Sequence, residues 1–380
     1  MDVSAIYLDH NATTPVLPEV LDAMLPYLSG AFGNPSSDHP LGRQAAVAVA
    51  TAREQVAALI GSRADEIVFT SGGTESNNLA IRGAAAAAEV GRRRILTSAV
   101  EHPATTAPLA ALRAEGWAVT EVPVTATGHV APQDAAVLMA PDLALVTVML
   151  AQNETGAIMD VGEVADAASA VGAPTHTDAA QAIGKIRVDV DALGVDLLSV
   201  AGHKCYAPKG VGALYVRRGT ALEPVLRGAG QERGVRPGTE NVAGIVALGA
   251  ACEIARSTLA TEPDRTAGLR DLLWARLSGL VPGLVRLTPT EHTLPNTLLV
   301  AFPDVVGREV LGAAPEIAAA TGSACHSGEE RPSATVLAMG VTPDVAVGTV
   351  RLSLGRSTSA DDVERAATAL ASGYHAARGR

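Results

Sequence analysis

The sequence predicts an α/β protein in which a large domain with a mostly parallel sheet is joined to a smaller α+β domain. From about residue 50 to residue 220, short apolar runs alternate with alanine-rich stretches of helical character. After about residue 255 this alternation stops, and the chain continues with separate helices and strands. Strands that alternate with helices favour a parallel sheet with helices on both faces. We therefore expect a large domain at 15–255 and a small domain made of 1–14 and 256–380.

The elements of the large domain follow one another in a regular order. Strands are predicted in "EIVFT", "RRRILTS", "WAVTEVPV", "LALVTV", "APTHTD", "VDLLSV" and "VGALYV", and helices in "TESNNLAIRGAAAAA" and "GEVADAASAVG". In the second region, "NTLLVAF" and "TVRLSLG" are predicted strands, and "RDLLWARLSG" is a predicted helix. The segment "SADDVERAATALASGY" is a predicted helix too, because it opens with a serine N-cap and an acidic first turn.

Composition and charge narrow the class of protein. Hydrophobic residues make up 48% of the 380-residue chain, enough for a large core, and the net charge of −11 argues against binding to nucleic-acid phosphates or anionic membranes. There is no run of 18 strongly apolar residues, and the first residues lack the pattern of a secretory signal. The three cysteines, Cys205, Cys252 and Cys325, suit free thiols in a reducing compartment. We expect a cytoplasmic protein.

Lysine is rare in this chain, with Lys185, Lys204 and Lys209 among 29 basic residues. Arginine keeps its charge and cannot act as a nucleophile, whereas a lysine with a lowered pKa can form a Schiff base with a carbonyl group. Lys204 follows the predicted strand "VDLLSV" within "AGHKCYAPKG". We predict that Lys204 is kept for its amine, and the alternative is an ordinary surface lysine.

A glycine-containing turn follows the first predicted strand of the large domain. In "TSGGTESNN", Gly73 and Thr74 stand where a helix begins. The free N–H groups at a helix N-terminus bind anions, so this turn suits a phosphate. The alternative is that Thr74 is only a helix cap.

Three further polar residues follow predicted strands: Asp178 in "DAAQ", His102 in "VEHPA" and Asn153 in "QNETG". Ligands of open α/β sheets bind beyond the carboxyl ends of the strands. A buried aspartate can hold a protonated pyridine nitrogen, and a histidine can stack on a flat ring. A helix cap, a loop histidine and a turn residue are the respective alternatives. Taken with Lys204 and the phosphate turn, the set predicts a site for pyridoxal 5′-phosphate.

These segments resemble the class V aminotransferase family, and within it the group I cysteine desulfurases of the NifS/IscS type. The resemblance extends over nearly the whole chain. The matching segments are "YLDHNATTPV", "FGNPSS", "FTSGGTESNN", "VEHPA", "HTDAAQAIGK", "AGHKCYAPKGVGALYVRRG", "RGAGQERGVRPGTENV", "TGSACHSGEERPS" and "RLSLGRST". The resemblance implies the pyridoxal-phosphate fold type I, with a seven-stranded sheet in the large domain.

The resemblance also implies roles toward the cofactor. Lys204 holds the cofactor and then serves as an acid–base group, and His102 stacks on its ring. Asp178 binds the pyridine nitrogen and Gln181 the phenolic oxygen. The phosphate is assigned to Gly73, Thr74 and His203, with Thr239 from the second subunit of a homodimer.

The substrate and its sulfur are assigned to other residues. Asn153, which also borders the cofactor, and Arg351 are expected to hold the carboxylate of L-cysteine. Cys325, among small residues in an expected exposed loop, attacks the substrate's sulfur as a thiolate and keeps it as a persulfide for a sulfur-acceptor protein. Cys252 lies in an apolar helical pattern and Cys205 beside Lys204, so both are interpreted as structural.

Other functions stay open at this point. The segment "GSACHS" also resembles selenocysteine lyases, which share the fold, the cofactor and the cysteine. A class V aminotransferase needs no cysteine, and a sulfur carrier without catalysis needs no Lys204. One departure from the family is Ala201, which stands where a serine often contacts the cofactor phosphate. Iron–sulfur assembly is one of several possible destinations of the sulfur, and no metal site is predicted.

Overall fold

The fold is given by a computed structural model, which describes residues 5–321, 324–326 and 329–379. For residues 324–326 and 329–331 the description concerns the backbone alone. The strands are β1 (Ile6–Tyr7), β2 (Ile67–Thr70), β3 (Arg94–Ser98), β4 (Ala118–Val122), β5 (Leu143–Thr147), β6 (Thr175–Asp178), β7 (Leu197–Ala201), β8 (Gly212–Val216), β9 (Val285–Arg286), β10 (Thr297–Ala301), β11 (Ile317–Ala318), β12 (Ala320–Thr321), β13 (Ala324–His326), β14 (Glu329–Arg331) and β15 (Thr349–Ser353).

Helices connect most of these strands. They are α1 (Pro18–Met24), α2 (Pro26–Ser29), α3 (Pro40–Ile60), α4 (Gly73–Ala87), α5 (Pro103–Ala114), α6 (Pro132–Val137), α7 (Val161–Ser169), α8 (Val190–Leu193), α9 (Val242–Thr258), α10 (Glu262–Leu280), α11 (Gly307–Gly312), α12 (Ala334–Ala338), α13 (Pro343–Ala346) and α14 (Ala360–Arg378). The capping box predicted for α14 is present, because the Ser359 hydroxyl accepts from Asp362 N and the Asp362 carboxylate accepts from Ser359 N.

The large sheet has seven strands in the order β2-β8-β7-β6-β5-β3-β4. Neighbours are parallel from β7 to β4, while β8 is antiparallel to both β7 and β2. Strands β2, β5, β6 and β7 are buried along their whole length, as expected where helices cover both faces. The predicted α/β class with a mostly parallel seven-stranded sheet is confirmed. The carboxyl ends of β2, β3, β5, β6 and β7 therefore lie along one edge.

A second core forms around a four-stranded antiparallel sheet in the order β12-β15-β10-β9. Helices α10, α11 and α14 contribute apolar side chains to it, and the rings of Phe302 and Tyr374 stack with their centroids 5.7 Å apart. Strand β1 pairs in parallel with β11, so the beginning of the chain packs with this second region. The residue limits given above for the two domains stay a prediction.

The segment around Cys325 differs from the loop expected from sequence. Strands β13 and β14 pair antiparallel, with Cys325 opposite Glu330 and His326 opposite Glu329. Backbone pairing of two short strands therefore replaces the expected loop in the described parts, and the side chain of Cys325 lies outside the described residues.

One observation concerns membrane spans. Within the described ranges, no single helix has both the length and the apolar composition needed to cross a bilayer, although α9 and α10 meet that test when taken together across a 77° bend.

Candidate active site

A cavity of about 660 Å³ lies at the edge of the large sheet where the parallel strands end. Its volume suits a small-molecule ligand. The carboxyl ends of neighbouring strands bring together residues that are far apart in sequence. Eight of the residues predicted from sequence line this cavity: Gly73, Thr74, His102, Asn153, Asp178, Gln181, His203 and Lys204.

Lys204 lies in a short 3₁₀ turn, Gly202–Lys204, directly after β7. Its Nζ donates to the backbone oxygens of Asn11 at 2.5 Å and Ala12 at 2.8 Å. Burial, helped by the nearby positive charge of Arg351, lowers the pKa of Lys204 to about 8, while Asp178 and Asp9 act in the opposite direction. An appreciable fraction of the amine is therefore neutral and nucleophilic near pH 8.

Asp178 is the last residue of β6, and its side chain is only 6% exposed. One carboxylate oxygen accepts from the backbone N–H of Ala180 at 2.9 Å, and the other accepts from Nδ2 of Asn77 at 2.6 Å. These two bonds fix the carboxylate at the cavity and leave it further lone pairs. The arrangement suits the binding of a protonated ring nitrogen.

A second carboxyl group lies behind this site. Burial, reinforced by the charge of Asp178, raises the pKa of Glu101 to about 8 against hydrogen bonds from Ser98 and Met149. Glu101 Oε1 accepts from Ser98 Oγ at 2.6 Å and from Met149 N at 2.8 Å. Near pH 7 Glu101 is mostly protonated, so the negative charge at this end of the cavity is concentrated on Asp178.

His102 is the N-cap residue of α5, and its Nδ1 accepts from the backbone N–H of Ala104 at 3.0 Å. Burial and the charge of Lys204 lower its pKa, although Asp178 opposes the shift. A neutral ring whose Nδ1 accepts must carry its proton on Nε2. His102 thus both caps α5 and lines the cavity.

The predicted phosphate turn is present at the start of α4. Gly72 is its N-cap at φ +142°, and no side chain caps the helix, so its first N–H groups are available at the cavity. A Cβ on Gly73 would lie 3.2 Å from the Cβ of Ala201, which leaves little room for any side chain there. Ala201 itself lines the cavity, so the hydroxyl that a serine would add is absent at the turn.

His203 and Lys209 complete this side of the cavity. His203 Nδ1 lies 3.2 Å from the hydroxyl of Thr13. Burial and the charges of Lys204 and Lys209 lower the pKa of His203 to about 4. A neutral histidine offers one N–H donor, and the exposed Lys209 supplies positive charge at the rim.

Arg351, predicted to hold a substrate carboxylate, lies next to the cavity on β15. Its Nη1 donates to the backbone oxygen of Asn153 at 3.0 Å, and its Nη2 pairs with the carboxylate of Asp9 at 2.7 Å. The side chain is buried, and its Nε has no hydrogen-bond partner among the described residues. Asp9 therefore occupies part of the arginine fork, and the substrate-binding role of Arg351 stays a prediction.

Thr239 lies outside the cavity and is exposed. The segment before it is tied to the large sheet, because Glu232 accepts from Arg53 at 2.6 Å and from Phe69 N at 2.9 Å. Arg236 adds an ion pair with Glu75, which lines the cavity, at 2.7 Å. The role expected for Thr239 needs a second chain and stays a prediction.

Asn11, for which the sequence predicted no role, connects this site to the second sheet. Asn11 is 1% exposed, and its backbone oxygen accepts from both Lys204 and Gln181. Its Nδ2 donates to Thr297 Oγ1 at 2.9 Å, and its N–H donates to Ser353 Oγ at 2.9 Å. Asn11 therefore joins the cavity wall to the second sheet. It stands within "YLDHNATTPV", where a matched motif was the only available signal.

Two of the three cysteines are unsuited to nucleophilic chemistry. Cys205 is 3% exposed, and burial raises its pKa to about 11. Cys252 is fully buried, and burial raises its pKa well above the ordinary value. Both stay protonated thiols near neutral pH, as their structural interpretation requires.

The cavity fits pyridoxal 5′-phosphate. It combines an amine of lowered pKa, a buried carboxylate and an uncapped helix N-terminus, which match the aldehyde, the ring nitrogen and the phosphate. A metal ion has no comparable set of ligands, since the described residues contain no group of three or more His, Cys, Asp or Glu side chains suited to one.

Comparison with known proteins agrees with this site. Residues 6–366 match the family model described as "Aminotransferase class-V". The chain is 42% identical over 364 residues to cysteine desulfurase IscS of Dictyoglomus turgidum, covering 94% of this chain and 91% of that protein. It is 43% identical over 363 residues to cysteine desulfurase NifS of Azotobacter vinelandii, covering 95% and 90%. A solved NifS-like protein superposes with a TM-score of 0.91 at 36% identity, covering 97% of this chain and 98% of that one. The protein belongs to the class V aminotransferase family, whose members' chemistry implies dependence on pyridoxal phosphate.

Proposed function

We propose that the protein is a pyridoxal-phosphate-dependent cysteine desulfurase, which converts L-cysteine to L-alanine and retains the sulfur as a persulfide on Cys325. The observation that carries this proposal is the convergence of Lys204, Asp178 and His102 on one cavity. Relatives at 42% and 43% identity that are named cysteine desulfurases support the reaction.

The cofactor, when bound, supplies an electron sink for the electron pair left at the substrate's Cα after proton loss. Asp178, fixed by Asn77 and by the backbone of Ala180, would keep a proton on the pyridine nitrogen. The N-terminus of α4, together with Thr74 and His203, would hold the phosphate. Lys204 lines the same cavity and would take up the aldehyde.

Lys204 and His102 move protons in this scheme. With a pKa of about 8, the Lys204 amine can both take up and return a proton near neutral pH. His102 is neutral at the same pH and carries its proton on Nε2, so it would offer an N–H donor to a cofactor in the cavity that it lines. Lys204 is therefore assigned the proton at Cα, and His102 the stacking and a supporting proton.

The sulfur transfer balances without an external oxidant. The thiolate of Cys325 attacks the substrate's sulfur, so that an S–S bond forms while the Cβ–S bond breaks. The electron pair of the broken bond stays on Cβ, which takes a proton to complete alanine. Cysteine and an enzyme thiol thus give alanine and an enzyme persulfide, whose outer sulfur passes to the thiol of an acceptor protein. Cys205 and Cys252 are buried and protonated, which leaves Cys325 for this role.

We also propose that the protein works as a homodimer in the cytoplasm. Thr239 is exposed at the end of a segment that Glu232 and Arg236 anchor, so it is presented outward, where a neighbouring subunit's cofactor would meet it. Large apolar side chains near α2 and α3 offer a face for the second copy, since Phe32 is 69% and Val47 65% exposed.

Turnover on two substrates tests this function. Purified protein is supplied with L-cysteine or L-selenocysteine, and alanine is measured together with sulfide or selenide. We expect release from L-cysteine, at least a hundredfold loss in Cys325→Ala, no turnover in Lys204→Ala, and near-parent rates in the control Cys252→Ala. Activity confined to L-selenocysteine would instead make the protein a selenocysteine lyase. Full turnover of an amino acid by Cys325→Ala would favour an aminotransferase.

A further inference from the structure

Lys185 is a second lysine at the active site, although it does not line the cavity. It stands seven positions after the end of β6, in the turn that carries Gln181. Its Nζ donates to Gln181 Oε1 at 2.7 Å and to Asn11 Oδ1 at 2.8 Å. None of the roles assigned above uses this residue.

The contact with Lys185 determines how the Gln181 amide is oriented. The Lys185 amine donates to Gln181 Oε1, so the oxygen end of the amide faces it. The nitrogen end then faces the other way, where Nε2 donates to the backbone oxygen of Asn11 at 3.0 Å. Gln181 is 5% exposed, so solvent offers the amide few alternative partners. If the amide were rotated by 180°, its N–H groups would face the N–H groups of Lys185, and its oxygen would face the backbone oxygen of Asn11.

The oriented amide lies beside the reactive amine. Lys204 Nζ and Gln181 Nε2 both donate to the same atom, the backbone oxygen of Asn11. In pyridoxal phosphate the phenolic oxygen is on the ring carbon next to the aldehyde that a lysine amine takes up. Gln181 Nε2 shares an acceptor with that amine and has a second N–H to offer, so it is a donor close to where the atoms next to the aldehyde would be held.

We propose that Lys185 is a positioning residue, which fixes the Gln181 amide so that its N–H, and not its oxygen, meets the phenolic oxygen of a cofactor held by Lys204. This rests on the cofactor-binding part of the proposed function. A donated hydrogen bond stabilises the phenolate anion, so it lowers the pH at which the bound cofactor loses its proton. Without Lys185 the Gln181 amide is free to rotate, and the pH at which half of the bound cofactor has lost its proton rises.

The effect of the Gln181 amide on the pH midpoint must be distinguished from the direct effect of nearby charges. The titratable or charged side chains that interact with the Lys204 amine are Asp9, His102, Asp178, His203 and Arg351, and Glu75 and Lys209 line the same cavity. Lys185 is itself a potential charge, and burial together with Lys204 and Arg351 lowers its pKa well below the ordinary value. A direct charge effect acts whether or not Gln181 is present, whereas positioning needs Gln181.

The test is the pH titration of the visible absorption of the cofactor-loaded protein. We expect Lys185→Met to raise the midpoint by about 1 pH unit, the shift expected for losing one hydrogen bond to a charged atom. Lys185→Arg keeps a donor and should stay close to the parent. The matched control is Arg187→Met, because Arg187 lies two positions away with a side chain that is 88% exposed.

The same substitution made in a Gln181→Leu variant distinguishes positioning through Gln181 from a direct charge effect. In Gln181→Leu, adding Lys185→Met should shift the midpoint no further. An equal shift with and without Gln181 would overturn the proposal in favour of direct charge, as would an unchanged midpoint in Lys185→Met alone. If Lys185→Met does not fold, Lys185→Ala replaces it, because it also removes the donor, and a midpoint equal to the parent's would again overturn the proposal. A parent protein whose visible band is the same in Lys204→Ala would contradict the proposed function instead.

Discussion

Native thiol reactivity offers a direct test of which cysteine carries the chemistry. Burial raises the pKa of Cys205 to about 11, compared with 9.0 for an ordinary thiol. At pH 7.5 a difference of that size reduces the thiolate fraction about a hundredfold, and thiolate is the reactive form. Cys252 is fully buried, and its pKa is raised further. We therefore predict that one of the three thiols reacts rapidly with a disulfide reagent in the folded protein.

The assay follows the release of the chromophoric thiol at pH 7.5, before and after denaturation. The parent should release about one equivalent quickly and the rest only on unfolding, and Cys325→Ala should lose the fast equivalent. Cys252→Ala is the matched control and should keep it. Two fast equivalents in the parent, or a fast equivalent that survives in Cys325→Ala, would refute the argument from burial.

Three other predictions concern the cofactor. Because the pKa of Lys204 is about 8, the rate at which the cofactor-free protein takes up pyridoxal phosphate should rise with pH and level off just above 8; a rise that continues through pH 10 contradicts this. Ala201→Ser places a hydroxyl at the phosphate turn and should lower the cofactor's dissociation constant about threefold to tenfold, measured by titration, and an unchanged or higher constant contradicts this. Asn77→Leu removes the 2.6 Å hydrogen bond to Asp178 and should raise that constant at least tenfold, with an unchanged value arguing against this anchoring role.

Much of the site could be predicted because of how parallel sheets are built. Gly73, His102, Asp178 and Lys204 each lie at or just after the end of a strand, and the carboxyl ends of neighbouring strands meet at one edge whatever their sequence separation. His102 after β3, Asp178 at the end of β6 and Lys204 after β7 therefore come together once the strands are recognised. Local patterns suffice for this step, since each strand and turn is recognisable by itself.

The contacts that orient these residues could not be predicted in the same way. Asn11 meets Gln181 across 170 positions and Thr297 across 286, and no local pattern encodes such pairs. The pairing of Arg351 with Asp9 has the same character, because it depends on how the beginning of the chain packs beside β15. The strand pairing at Cys325 was missed for a different reason: small residues were taken as the mark of a loop, although paired strands accommodate them as well.

The placement of the three lysines explains why a chain so rich in arginine keeps any lysine. Lys209 lies at the rim of the cavity, Lys204 lines it, and Lys185 lies behind Gln181. An arginine would hold a permanent charge at each of these places. At Lys204 that charge would abolish the nucleophile. At Lys185 the amine donates to Gln181 and Asn11 among buried groups, and burial lowers its pKa well below the ordinary value. Lys204 is thus the lysine whose role needs the ability to lose a proton, which arginine lacks, whereas the role of Lys185 needs a donor.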